Sequence, residues 1–235
     1  MRLKKRGPKA NRLLAALPGK DLEHLLAGCE AIDLNFADVL CAPGDLIWHV
    51  YFPTGSFISL VAPLDGCASL EVGMVGNEGM FGIGLVLGVD VSPLHAVVQG
   101  SGSALRMNAT RFRRELEVSP VLRRGLNRYL YVLMSQLAQA AACTRFHVVE
   151  ERLARALLMT GDRAHSSRFH LTQDFLSHML GVRRVGVTKA ANSLQSRKLI
   201  AYRRGDITIL DRRGLEAASC ACYRDDKETY ARILG

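Results

Sequence analysis

The chain has 235 residues, 49% hydrophobic and 23% charged, with a net charge of +9. That apolar fraction excludes a disordered chain and can fill one large core or two modest ones. No apolar run reaches the about 18 residues that cross a bilayer, and the apolar stretch behind the basic opening Met1-Arg2-Leu3-Lys4-Lys5-Arg6 is cut short at Pro18-Gly19, so a cytoplasmic protein is expected.

In chain order, Leu13, Leu14, Leu17, Leu22, Leu25 and Leu26 recur near helical spacing and predict helix over 13–30, around a break at Pro18-Gly19. From about 32 to 107, glycines and prolines punctuate short β-rich runs at 48–52, 57–61, 70–75 and 96–99, with turn signals at Pro43-Gly44-Asp45, Pro53-Thr54-Gly55 and Asp65-Gly66. Short strands at that spacing predict a β-sandwich or an antiparallel β-roll, the latter a cupin-like jelly roll. Asn108 or Thr110 can cap the helix that follows. Ser119-Pro120 then places a cap before a proline at the first helical position, opening a long helix to about residue 145. Its apolar positions Leu122, Leu126, Leu130, Leu133, Leu137 and Ala140 step by 4, 4, 3, 4 and 3, a heptad-like seam from Leu126 onward, and the small residues 138–142 invite a second helix close by. Leu126, Leu130, Leu133, Leu137 and Ala140 are therefore the expected dimerisation residues. A further helix over 148–163 carries Leu153, Leu157 and Leu158 inward. The expected fold class is α+β, divided into a roll with flanking helices (13–118), a long dimerisation helix (119–145) and a C-terminal module (146–235).

Charge follows that division. Residues 1–12 carry +6, residues 13–145 carry −3 and residues 146–235 carry +6. Localised positive potential on one module attracts polyanions.

The C-terminal module contains a helix–turn–helix pattern over 171–195. With the turn glycine at Gly181, the small residue four positions earlier is Ser177, and Leu176, Leu180, Val182, Val187 and Ala190 supply the apolar packing. Thr172 can cap the first helix, and Gly181 can adopt the left-handed conformation at its end. If Val187 and Ala190 point inward, then Arg183, Arg184, Thr188, Lys189 and Asn192 lie outward or at the start of the second helix. Those side chains suit guanine, adenine, phosphate and the thymine methyl. The run at 199–204, a Gly205-Asp206 turn and the run at 207–210 predict a hairpin, a wing whose Arg203 and Arg204 can reach a flanking phosphate. The expected partner is double-stranded DNA.

Taken together, the β-rich half with Pro43-Gly44-Asp45, the long connecting helix and the run Leu171-Thr172-Gln173 through Leu180-Gly181-Val182 resemble Crp/Fnr-type transcription regulators over about 13–215. The resemblance implies a winged helix-turn-helix, a homodimer, RNA polymerase as a partner and a small-molecule effector at the roll. It places Arg184, Val185 and Lys189 where the family reads base edges, with Val185 at a position that is often Glu. Gly76-Asn77-Glu78 resembles the loop whose Gly–Glu pair holds a cyclic nucleotide, so Gly76 and Glu78 are the expected effector residues. The arginine that holds the cyclic phosphate has no counterpart, since no Arg or Lys lies between Glu78 and Gln99. A buried phosphate needs a cation or several donated hydrogen bonds, which argues against cyclic AMP.

Cys29, Cys41, Cys67, Cys143, Cys220 and Cys222 show no framework spacing and lack the N-terminal cluster of the family's iron–sulfur members. The pair Cys220-Ala221-Cys222 has no neighbouring His or further Cys in the sequence, so no metal site and no cofactor are expected. The alternative reading is a thiol- or metal-responsive DNA-binding sensor using Cys143, Cys220 and Cys222. The least favoured is a β-barrel metalloenzyme, because the roll offers only His49 and His95, far apart in sequence. No enzyme activity is expected.

Overall fold

The computed structural model describes residue 7, residues 10–63 and residues 69–235. The Asp65-Gly66 turn, Cys67 and most of the basic opening lie outside the described residues. Two short helices, α1 (Arg12–Ala15) and α2 (Gly19–Leu26), flank Pro18, and a strand begins where the sequence reading continued the helix.

The roll comprises β1 (Glu30–Leu34), β2 (Val39–Cys41), β3 (His49–Pro53), β4 (Phe57–Pro63), β5 (Ser69–Val75), β6 (His95–Gly100) and β7 (Gly102–Asn108). Among the described residues these form two antiparallel sheets, ordered β1-β7-β3 and β2-β6-β4-β5. Strands β1, β2 and β7 had no clear signal in the sequence. β7 is held by pairing on both edges, including Glu30 opposite Arg106, whose side chains form an ion pair at 2.6 Å. At the Pro43-Gly44-Asp45 turn Gly44 takes φ +87°, and the Asp45 carboxylate accepts from Ala42 N. The roll's interior packs Leu14, Leu25, Phe52, Ile58, Met80, Met107 and Phe112, all fully buried. Each such side chain contributes about 1.5–3 kcal/mol by leaving water.

Helix α3 (Ala109–Val118) is capped by Asn108, whose side chain accepts from Thr110 N. Ser119 caps the long α4 (Pro120–Phe146) by accepting from Leu122 N, with Pro120 in the first turn. Leu126 is only 1% exposed because it fills the roll's own core beside Tyr129. It therefore cannot belong to a seam between copies. Leu130, Leu133 and Ala140 are half-buried, while Leu137, Tyr131 and Met134 are exposed. The free apolar face of α4 thus lies about one position away from the expected stripe in its first half, because the roll claims Leu122, Leu126 and Tyr129.

The C-terminal module contains α5 (Val149–Ala164), β8 (Arg168–His170), α6 (Gln173–Leu180), α7 (Arg184–Ser196), β9 (Ile200–Arg203), β10 (Asp206–Ile209) and α8 (Arg212–Ala218). A second core joins Leu153, Leu157 and Leu158 of α5 to Leu176, Leu180, Val187, Ala190 and Leu194, and it takes in Phe57 and Met74 from the roll. The wing is a three-stranded antiparallel sheet, β8-β10-β9, rather than a bare hairpin. Its turn is Arg204-Gly205, one residue earlier than expected. Both residues have positive φ, +52° and +91°, the pairing that a tight two-residue hairpin turn needs. The last helix, α9 (Cys222–Leu234), leaves this module and packs along α4, which the grouping of 146–235 as one unit did not anticipate.

Candidate functional site

The helix–turn–helix is built by local chemistry at each joint. Thr172 Oγ1 accepts from Phe175 N at 3.1 Å and caps α6. Gly181 ends α6 with φ +60°, and the N–H groups of Gly181 and Val182 return to the carbonyls of His178 and Ser177. That left-handed residue turns the chain so that Arg183, extended, opens α7. Val187 is fully buried and Ala190 is 5% exposed, so the inner face of α7 is fixed against α6 and α5.

The opposite face follows from helical geometry. Arg183, Arg184, Val185, Lys189 and Asn192 are exposed, and Thr188 is half-buried. Val185, 65% exposed, is an apolar contact surface among cations. Thr172 is exposed at the start of α6, and Arg203 and Arg204 are exposed at the wing tip. The described residues thus place all of these side chains on solvent-accessible surface of the two helices and the wing.

Two neighbours that the sequence reading passed over orient this face. Gln173 Oε1 accepts from Arg184 Nε and from Thr188 Oγ1, each at 3.3 Å, and Asp174 lies 3.4 Å from the Arg184 guanidinium. The Gln173 side chain therefore bridges the first turns of α6 and α7. Its position beside the capping Thr172 was the signal. Behind the wing, Tyr202 OH donates to Leu171 O, and Gln195 accepts from Tyr202 N, tying β9 to α7 and to the residue that precedes the α6 cap.

The roll's candidate effector residues have a different setting. The Glu78 carboxylate accepts from Gly76 N at 3.1 Å and pairs with Arg163 of α5 at 2.9 Å, with both side chains largely buried. Tyr230 of α9 donates to Glu78 O at 2.7 Å, and the Arg12 guanidinium stacks on the Tyr230 ring. A Cβ on Gly76 would sit 2.6 Å from Arg163, so glycine lets the arginine approach the loop. Glu78, with Asn77, thus borders a cavity of about 380 Å³ against α5 and α9, and its carboxylate is already paired inside the chain.

Nearby, Glu71 on β5 accepts from Ser59 Oγ and lines a second cavity of about 320 Å³ shared with α4 and α5. Burial pushes its carboxyl up to about 7, against the smaller opposing pull of Ser59 and Arg163.

The structure also brings together residues that lie far apart in the sequence. The Cys220-Ala221-Cys222 pair does have partners: Cys143 and His147, remote in sequence, meet it at the end of α4, with ligand atoms within 4.8 Å of one another. No spacing rule could reveal a cluster assembled by the return of α9.

Residues 151–218 match the sequence profile of the Crp-like helix-turn-helix domain. No curated protein sequence matches the chain. Among solved structures, the fold is similar to FixK2 from Bradyrhizobium japonicum at TM-score 0.69 and 14% identity, over 82% of this chain and 98% of that one. It is similar to the c-di-GMP responsive global regulator CLP from Xanthomonas campestris at TM-score 0.67 and 17% identity, covering 82% and 99%. A transcriptional regulator of the Crp/Fnr family from Thermus thermophilus, TTHA1359, gives TM-score 0.66 and 20% identity, covering 81% and 98%. At these identities the likeness establishes the architecture that the sequence led one to expect, an antiparallel roll, a long helix and a winged helix.

Proposed function

We propose that this chain is a Crp/Fnr-type regulator that acts in the cytoplasm as a homodimer on a specific DNA sequence, a reading supported by its Crp-like helix-turn-helix domain and by its fold. The observation that carries the reading is the two-sidedness of α7: Val187 and Ala190 are buried, while Arg183, Arg184, Lys189 and Asn192 face solvent beside Arg203 and Arg204 of the wing. Arg184, Val185, Lys189 and Asn192 read base edges, and Thr172, Arg183, Thr188, Arg203 and Arg204 hold the backbone or flank it. The exposed apolar residues Tyr131, Met134 and Leu137 on α4 support pairing of two copies. Leu130, Leu133 and Ala140 line the edge of that pairing.

The effector domain is degenerate in this proposal. Glu78 works as an anchor for Arg163, and with no cation between Glu78 and Gln99 the roll does not take cyclic AMP. The family resemblance extends the proposal to RNA polymerase as a partner and to a small-molecule effector of a different chemistry.

Selection of bound duplexes from a random pool by the full chain tests the reading. Enrichment of an inverted repeat with half-sites about one helical turn apart is expected. Failure to enrich any sequence would overturn it. Sedimentation tests the assembly: the wild type should run as a dimer and Met134→Glu as a monomer.

A further inference from the structure

Cys143 lies near the end of α4, His147 terminates that helix, and Cys220 and Cys222 flank the short link between α8 and α9. Cys143 Sγ is 3.5 Å from Cys220 Sγ, and Cys222 Sγ is 3.5 Å from His147 Nδ1. The three sulfurs belong to residues that are 1–5% exposed and form a small cluster apart from both main cores. A disulfide needs sulfurs about 2.0 Å apart, and Cys143 and Cys220 do not meet that distance. Around zinc, with bonds of about 2.3 Å to sulfur and 2.0–2.1 Å to nitrogen, tetrahedral ligand atoms stand about 3.5–3.8 Å apart. The two closest contacts already have that spacing, and the full set, within 4.8 Å, closes on a metal by small rotations of the side chains.

We propose that Cys143, His147, Cys220 and Cys222 bind one zinc ion in a closed structural site. Three sulfur donors and one imidazole select a borderline-soft ion over magnesium or calcium, which take oxygen ligands. Four protein ligands leave no open position for substrate, so the site holds structure together and performs no reaction. Three thiolates around a divalent ion carry one net negative charge, and Arg152 and Arg155 lie within electrostatic reach of Cys143 and Cys220. Gln139 Nε2 donates to Cys222 Sγ at 2.9 Å, the kind of outer hydrogen bond that orients a metal-bound thiolate. The ion ties α9 to the joint between α4 and α5, from which the winged helix departs. These ligands come from two stretches of the chain, 143–147 and 220–222, so the site forms only when α9 has returned to α4.

The test uses tag-free full-length protein purified under reducing conditions without chelator. Elemental analysis should give one zinc per chain. Exchange with cobalt(II) should give the visible absorption of a tetrahedral thiolate centre. Cys220→Ser/Cys222→Ser should lose at least nine-tenths of the zinc, and Cys41→Ala should keep it. Because the double variant could misfold, thiol labelling of the wild type gives a second reading: chelation should expose three cysteines that zinc protects. Protein without zinc that forms no tetrahedral cobalt centre would overturn the proposal, as would zinc content unchanged in the double variant or labelling insensitive to chelation.

Discussion

Arg163 and Arg184 sit on helices of the same C-terminal module, yet their guanidinium groups end in opposite environments. Arg163 is 8% exposed in its side chain and pairs with Glu78 of the roll. Arg184 is 64% exposed, held loosely by Gln173 and Asp174, with Arg183 and Lys189 beside it. The first arginine is compensated inside the chain and serves stability. The second belongs to a group of exposed cations in the segment 171–195, whose one acid is the exposed Asp174, which leaves their field available to a polyanion. Residue type alone could not have separated the two roles. Burial and partner do.

Breaking the buried side of this comparison has the largest expected effect. Glu78→Ala strands Arg163 without its partner and should cost about 3–5 kcal/mol in urea unfolding. Adding Arg163→Met should recover part of that loss. A neutral Glu78→Ala would erase the distinction between the two arginines.

The neighbouring Glu71 gives a pH signature. Its carboxyl in the folded chain, at about 7, lies above the ordinary value of 4.5, so the folded state binds more protons than the unfolded state between those limits. Stability from this group is therefore full below about pH 4.5 and declines as pH rises to about 7, by up to about 3 kcal/mol. Glu71→Gln should remove that decline, so the gap in melting temperature between variant and wild type should widen from pH 4.5 to 7 and then level off.

The exposed cations should respond only through DNA. Arg184→Ala should lose about 1–3 kcal/mol of discrimination between its selected site and random duplex. Its stability should change by less than about 0.5 kcal/mol, as expected of a surface substitution. Equal loss on both duplexes would reassign Arg184 to phosphate contact. The smallest effect is at the cap: Thr172→Ala should cost about 1 kcal/mol by removing the acceptor for Phe175 N.

Much of this molecule was legible in its sequence where the cause is local. The Ser119-Pro120 helix start, the left-handed Gly181 and the Thr172 cap depend on residues a few positions apart, and each does in space what its chemistry requires. The periodicity that buries Val187 also directs the cations outward. What the sequence concealed is long-range. β7 is a strand because β1 and β3 pair with it from both sides. Leu126 is lost to a dimer seam because the roll covers it. Glu78 meets Arg163, and the cysteines meet His147, only through the docking of elements distant in the chain.

The central claim is that the cations on α7 and the wing meet duplex phosphates and bases, and the salt dependence of binding tests it most directly. Affinity for the selected site should fall linearly on a double-logarithmic plot as salt rises, and Arg203→Ala/Arg204→Ala should make that slope shallower by about 2, close to one per phosphate contact removed. An affinity indifferent to salt, or a slope that the double substitution leaves unchanged, would contradict the account.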